Sequence, residues 1–328
     1  MFYTKLLILF RKVYKIYFTK FRLNKFRKKY ILNNNVINNS DMGSKIIYKF
    51  LNNKKPCLIT RFGRHEIDIL LNYLSINKKI NFVDFIKGKV HENWWHFNKC
   101  EKLKKIAGFF PIDSKNLKKF SKLYISHMND IDVLAIFISD PSPENFFRNK
   151  LKHTIKVNLE SIDFFSSEFL WSKALKNKKV LFISPFSESI KKQYLKKDKI
   201  FSDQRLPKFQ LKTLQSVNSA GGKSDKFKTW FEALDHMKLQ IKKIDFDIAI
   251  IGCGAYGYPL AAYVKKIGKI GFHIGGELQT MFGILGRRFE NPKHKNGLYL
   301  KYINKYWVRP SLKERPKNYK EIEKGGYW

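Results

Sequence analysis

The stretch Ile248-Ala249-Ile250-Ile251-Gly252-Cys253-Gly254-Ala255-Tyr256-Gly257-Tyr258-Pro259-Leu260 decides how this chain is read. Its first four residues are apolar and mostly β-branched, the mark of a strand buried on both faces. Glycines follow at the spacing G-x-G-x-x-G, and a helix is predicted over 259–267. Strand, glycine-rich turn and helix form the context in which such a loop holds phosphate. Glycine lets the backbone turn tightly and come close, while the helix start offers unpaired N–H groups and the positive end of its dipole. Pro259 suits the first helical turn, where its missing N–H costs nothing. A purely structural glycine turn is the alternative.

The same alternation extends outward. Short apolar strands are predicted at 57–60, 133–139, 180–184, 248–252 and 270–274. Helices are predicted at 44–51, from Glu66 through Leu74, at 116–128, 165–175, from Ser187, at 226–243 and at 278–285. Strands alternating with helices imply an α/β fold: a mostly parallel sheet with helices on both faces. The predicted organisation is a basic amphipathic segment and polar linker over 1–42, then one Rossmann-like α/β domain over 43–328 that ends in a basic aromatic tail.

In such sheets ligands lie beyond the carboxyl ends of the strands. Besides Gly252, Gly254, Ala255, Tyr256 and Gly257, three further strand ends carry candidate residues. After 57–60 come Arg61-Phe62-Gly63-Arg64-His65-Glu66. Arg61 can grip a phosphate with two parallel bonds. Gly63 allows close approach, and Glu66 is a candidate base or metal ligand beside His65. After 180–184, Ser184 and Ser187 are candidates for a second phosphate, although Ser187 also suits a helix N-cap. After 270–274, Gly275, Gly276, Glu277 and Gln279 sit where sugar hydroxyls would be bound. Glu277 lies 20 residues past Gly257, the offset of a ribose-binding acid, so a dinucleotide reading with NAD(P) stays open. Asp140 before Pro141 reads as a turn, and Lys223 as a further phosphate-binding candidate. No Walker A, G-x-S-x-G or HExxH pattern is present.

The net charge is +38. It points to polyanionic partners, or to the Lys- and Asn-rich composition that AT-rich genomes produce. Charge alone argues for no specific nucleic acid, because the aromatic motifs of RNA-binding folds are missing. Three cysteines, Cys57, Cys100 and Cys253, have no CxxC spacing, which argues against a disulfide framework or zinc knuckle and fits a reducing compartment. Residues 1–40 contain no acid. Their apolar residues recur at helical spacing among basic ones, and the run 6–10 is too short to span a bilayer. The expectation is a helix lying on an anionic membrane surface through residues 1–30, on the cytoplasmic side.

Several stretches carry a resemblance. The segments GCGAYGYPLAAYVKKIGK and HIGGELQTMFGILGRR within 246–288, VLFISPFSESIKKQY at 180–194, TWFEAL at 229–234, YWVRP at 306–310 and the closing Gly325-Gly326-Tyr327-Trp328 look like proteins of bacterial capsule, lipopolysaccharide and exopolysaccharide gene clusters. More distantly, Arg61, Phe62, Gly63 and Glu66 resemble the RFGDGE motif of GT-D glycosyltransferases, Rossmann-like enzymes that use a nucleotide sugar and a divalent metal. That resemblance implies a nucleotide-sugar donor, a lipid-linked or glycan acceptor, and Mn2+ or Mg2+ held at Glu66. The catalytic candidates are Glu66 and Glu277, either of which would serve as metal ligand, sugar contact or base. The family's Asp is replaced by Arg64, which could neutralise diphosphate in place of a cation.

Overall fold

The computed structural model describes residues 2–22, 36–76, 81–87, 93–137, 146–316 and 319–328. The predicted turn at Asp140, and residues 23–35 of the N-terminal segment, lie outside the described residues. In chain order the elements are α1 (Phe2–Arg22), β1 (Val36–Ile37), α2 (Ser40–Asn52), β2 (Cys57–Arg61), α3 (Arg64–Tyr73), α4 (Phe82–Ile86), α5 (Phe97–Lys105) and α6 (Ser114–Ser126). Then come β3 (Val133–Ile136), β4 (Ile155–Asn158), β5 (Lys179–Ser184), α7 (Ser187–Tyr194), β6 (Gln210–Gln215), α8 (Trp230–Lys242), β7 (Ile248–Ile251), α9 (Gly257–Lys266) and β8 (Ile270–His273).

The eight strands form one sheet in the order β1-β4-β3-β2-β8-β7-β5-β6, and every neighbouring pair is parallel. Alternate residues of each strand feed two cores. Leu58, Leu134, Leu181, Ile183, Ala249 and Ile251 point into one, with α3, α6, α8 and α9 over them. Ile59, Val133, Val180, Phe182, Ile248, Ile250 and Phe272 point into the other. That second core is closed by α2, α7 and the C-terminal tail, whose Tyr299, Trp307, Ile322 and Trp328 are buried. Burial on both faces is why the central strands read as unbroken apolar runs.

Three strands were not anticipated. Strand β1 lies inside the stretch read as linker, β4 is next to it, and β6 forms the opposite edge. Each is partly exposed; β1 is only the two residues Val36–Ile37, and β4 and β6 carry polar residues, so none shows an apolar run. Helix α2 starts at Ser40 rather than 44, because Asn39 accepts the Met42 N–H at 2.9 Å and caps it. Helix α8 starts at Trp230 behind the cap Thr229. The helix expected over 165–175 shrinks to a 3-10 turn at Trp171–Leu175, since Phe164 and Phe165 plug into the second core. The one expected over 278–285 is a 3-10 turn, Gly276–Phe282, ended by Gly283 in the left-handed region.

Helix α1 rests on α4, with Leu7 buried and Arg11 4.7 Å above the Phe85 ring. Leu9, Phe10 and Val13 on its outer side are about half exposed. Among the described residues no helix is long and apolar enough to cross a membrane.

Candidate functional site

The segments after β2 and β7 cross one face of the sheet, and those after β8 and β5 cross the other. These four strands are adjacent, so their loops part in alternating directions and a crevice opens at the carboxyl edge. A cavity of about 250 Å³ lies there. Arg61, Gly63, Arg64, His65 and Glu66 line it from β2, and Gly252, Cys253, Gly254 and Tyr256 from β7. Ser184 lines it from β5, and His273, Gly275, Gly276 and Gln279 from β8. The two predicted half-sites thus share one cleft.

Most of the glycines in the β7 loop serve packing. A Cβ on Gly252 would strike the Gly275 carbonyl, and Gly254 (φ 58°) lies under the Ala107 carbonyl. On Gly257 a Cβ would strike the His273 ring. The Ala255 N–H donates to Ala107 O at 3.0 Å, and its carbonyl accepts the Tyr124 hydroxyl at 2.5 Å. Tyr256 stacks on Trp230 at 4.9 Å, and its hydroxyl meets Ser219 Oγ at 2.9 Å. The N–H groups of Cys253 and Gly254 have no acceptor among the described residues, so the loop keeps two donors at the cavity.

Of the other predicted residues, four differ from expectation. Phe62 is buried edge-on against Tyr258, 5.4 Å away, because alternation along the chain turns it into the core. Ser187 does not line the cavity, and its hydroxyl donates to Gln215 Oε1. The anion position at the start of α7 belongs to Glu314 of the tail. Its carboxylate accepts the N–H of Glu188 at 2.7 Å, the N–H of Ser189 at 3.1 Å and the Ser189 hydroxyl. Glu277 does not line the cavity either. Lys295 Nζ donates to it at 2.8 Å and also pairs with Asp163, which accepts the Tyr299 hydroxyl at 2.8 Å. Burial pushes the Glu277 carboxyl up, but Lys295 and then Arg61 outweigh it and hold it below the usual range. Gln279 does line the cavity, yet its amide N–H groups hold the carbonyls of Ile284, Leu285 and Tyr327. It anchors the tail.

Arg61 donates to the Phe62 carbonyl at 3.2 Å and lies 5.5 Å from the Phe137 ring centroid. No carboxylate among the described residues lies within ion-pair distance of it. Three buried polar atoms of cavity residues lack any partner: Arg61 Nε, Ser216 Oγ and Gln279 Oε1. Unpaired buried polar atoms are costly, and three of those found among the described residues belong to residues that line this cavity.

Glu66 is 6% exposed, at the start of α3, with its carboxylate folded over Gly63. Burial pushes its carboxyl above the ordinary value, against the opposing pull of its own N–H and of Arg61. A raised carboxyl is one suited to proton transfer near neutrality. Its ionisation also costs folding free energy. That cost is absent below the unfolded carboxyl's value and grows as pH rises through the folded one. Glu66→Gln is therefore expected to melt with the wild type at about pH 4 and above it at about pH 8. Thermal melts across that range check this, and a gap that is constant with pH would contradict it.

His273, Arg288 and Ser216 were missed in sequence. His273 Nδ1 lies 3.1 Å from the Arg61 carbonyl and 3.2 Å from Thr60 Oγ1. Burial, then the Arg61 charge, push it down to about 3, so it is neutral and Nδ1 donates to that carbonyl. Its position, two residues before Gly275 on a strand expected from sequence, was the available signal. Arg288 reaches the cavity only because the tail folds back, which no local pattern announces. All three cysteines are buried and unpaired. Among the described residues no three His, Cys, Asp or Glu side chains gather to hold a metal ion. No protein-family model, curated protein or solved structure matches this chain.

Proposed function

We propose that the protein is a glycosyltransferase of bacterial surface-polysaccharide assembly, taking its sugar from a nucleotide-sugar donor bound in this cavity. The observation that carries the reading is Arg61, with no carboxylate in ion-pair distance among the described residues, and buried Glu66 lining one cavity with the glycine loop after β7. In the transfer, an acceptor hydroxyl oxygen bonds to the anomeric carbon while the bond from that carbon to the diphosphate oxygen breaks. The nucleoside diphosphate leaves with the electron pair, and the hydroxyl proton passes to the Glu66 carboxylate. Arg61, with Arg64 beside it, meets the charge that grows on the leaving diphosphate. A divalent cation bound at Glu66 is the second way to meet that charge, and Mn2+ or Mg2+ would supply it as a Lewis acid.

The NAD(P) reading loses its acid, because Glu277 is tied to Lys295 outside the cavity. The acceptor, a glycan or lipid-linked sugar, would be met at the inner face of the cell membrane. Half-exposed Leu9, Phe10 and Val13 on α1, within 40 residues that carry no acid, support attachment to anionic lipid.

The test is a panel of nucleotide sugars, with Mn2+, with Mg2+ and with chelator, in the presence of neutral or anionic vesicles. Binding or turnover of at least one donor is expected, with the protein sedimenting on anionic vesicles only. If no donor binds or is hydrolysed under any of these conditions, the transferase reading fails. Sedimentation on neither vesicle removes the membrane attachment alone.

A further inference from the structure

Four of the last seven residues, Ile322, Glu323, Tyr327 and Trp328, line the cavity. Arg288, itself a cavity residue, helps to hold them there, beside Gln279 at the Tyr327 carbonyl and the second core around Ile322 and Trp328. Arg288 Nη1 donates to the Tyr327 hydroxyl at 2.7 Å and pairs with Glu323 Oε2 at 3.1 Å. The main chain adds a bond from the Arg288 N–H to the Gly326 carbonyl at 3.1 Å. Gly276 admits the arrangement, because a Cβ there would run into the Tyr327 ring.

Two features make the Glu323 contact a weak one. The side chains of Arg288 and Glu323 are 28% and 33% exposed, so solvent screens the pair. Glu323 (φ 47°) and Lys324 (φ 56°) are also consecutive non-glycine residues in the left-handed region, which disfavours L-residues. A carboxylate has thus been brought to a cavity arginine through an unfavourable backbone. A phosphate offers the same arginine more acceptor oxygens and more charge.

We propose that Arg288 is a second phosphate-binding residue of the cavity and that Glu323 occupies its place until a phosphate- or diphosphate-bearing ligand displaces it, loosening the turn around Glu323 and Lys324 while Ile322 and Trp328 stay in the second core. The displaced carboxylate moves to solvent, and the backbone at Glu323 and Lys324 is free to relax. The inference rests on the phosphate reading of the cavity, though not on sugar transfer.

Inorganic pyrophosphate and UDP are the probes, titrated calorimetrically at fixed ionic strength into the whole chain. Glu323→Gln is expected to bind both about 2- to 5-fold more tightly than the wild type, the size of an exposed ion pair's competition. Glu290→Gln is the charge-matched control. It removes the same charge from a pair with Arg309 and does not line the cavity, so its affinity should be unchanged. Arg288→Lys, which keeps charge and much of the bulk, should weaken binding, and Arg288→Gln should weaken it by about tenfold or more. Hydrogen exchange of the amides over 323–326 should quicken when pyrophosphate is added. Equal tightening in Glu290→Gln, no tightening in Glu323→Gln, or slower exchange with pyrophosphate would overturn the proposal. A wild type that binds neither probe would sink the phosphate reading itself. Probe binding without turnover of any sugar donor would remove only the transferase.

Discussion

Arg61→Gln is expected to lower the affinity for a nucleotide-sugar donor, or for its free nucleoside diphosphate, by about 100-fold, the loss of a roughly 2–5 kcal/mol charged contact in a partly buried site. The size follows from where the guanidinium sits. It ends β2 with its Nε buried and unpartnered, and no carboxylate among the described residues pairs with it. Its charge acts on Glu66 and Glu277 only at a distance, without a direct ion pair among the described residues. Glutamine keeps most of the stem's packing near Phe137 and removes the charge and the forked donor set. Arg61→Lys should fall between the two, because it restores charge without the fork. Calorimetric titration of nucleoside diphosphate measures the effect, and circular dichroism confirms that the variants fold. A loss below about threefold in a folded Arg61→Gln variant would mean that the diphosphate does not lie at the end of β2.

Glu314→Ala is expected to cost about 3 kcal/mol of stability, since a buried acceptor of several N–H and O–H groups leaves them unpaired. For a chain of this length that is a fall of roughly 5 °C in melting temperature. Glu314 is 6% exposed and caps α7 from more than a hundred residues away. The capping box at Ser311 holds the carboxylate in turn, through the Ser311 N–H at 3.3 Å. Its loss uncaps α7 and loosens the tail that closes the second core. Ser187→Ala, at the position where a helix cap was expected from sequence, should cost much less. Its hydroxyl reaches only Gln215. Differential scanning calorimetry distinguishes the two, and an equal shift in both variants would return the cap to Ser187.

The same contrast separates what was legible in the sequence from what was not. Strands β2, β3, β5, β7 and β8 were readable because each is mostly buried on both faces and so carries a run of apolar residues, with polar ones such as Arg61, Ser184 and His273 at the ends. Strands β1, β4 and β6 were not. Strand β1 has only two residues, too few for a run, and the polar residues of β4 and β6 reflect partial exposure at or near the sheet's edges, which is a property of position in the sheet. Arg61, Gly63, Glu66 and the glycine loop were readable as residues of the carboxyl edge, where they line one cavity, because they immediately follow recognisable strands. Arg288, Glu314 and Tyr327 had no such marker. They come to the strand ends through a tail held by 3-10 turns and single contacts, which leave no period in the sequence.

The glycine loop has changed in meaning. Its spacing correctly located a turn between β7 and α9. The assignment of each residue came only from packing: Gly252 against Gly275, Gly257 against His273, and the Ala255 N–H against Ala107. By itself, then, the sequence determined the parallel α/β architecture and the edge of the sheet where the cavity lies, because burial on two faces and glycine turns impose local, periodic constraints. Only the tertiary structure decided which side chains face that edge. Glu277 was turned to Lys295, the start of α7 was given to Glu314, and Arg288 was brought in from the tail, since ion pairs and helix caps depend on proximity in space and not on spacing along the chain.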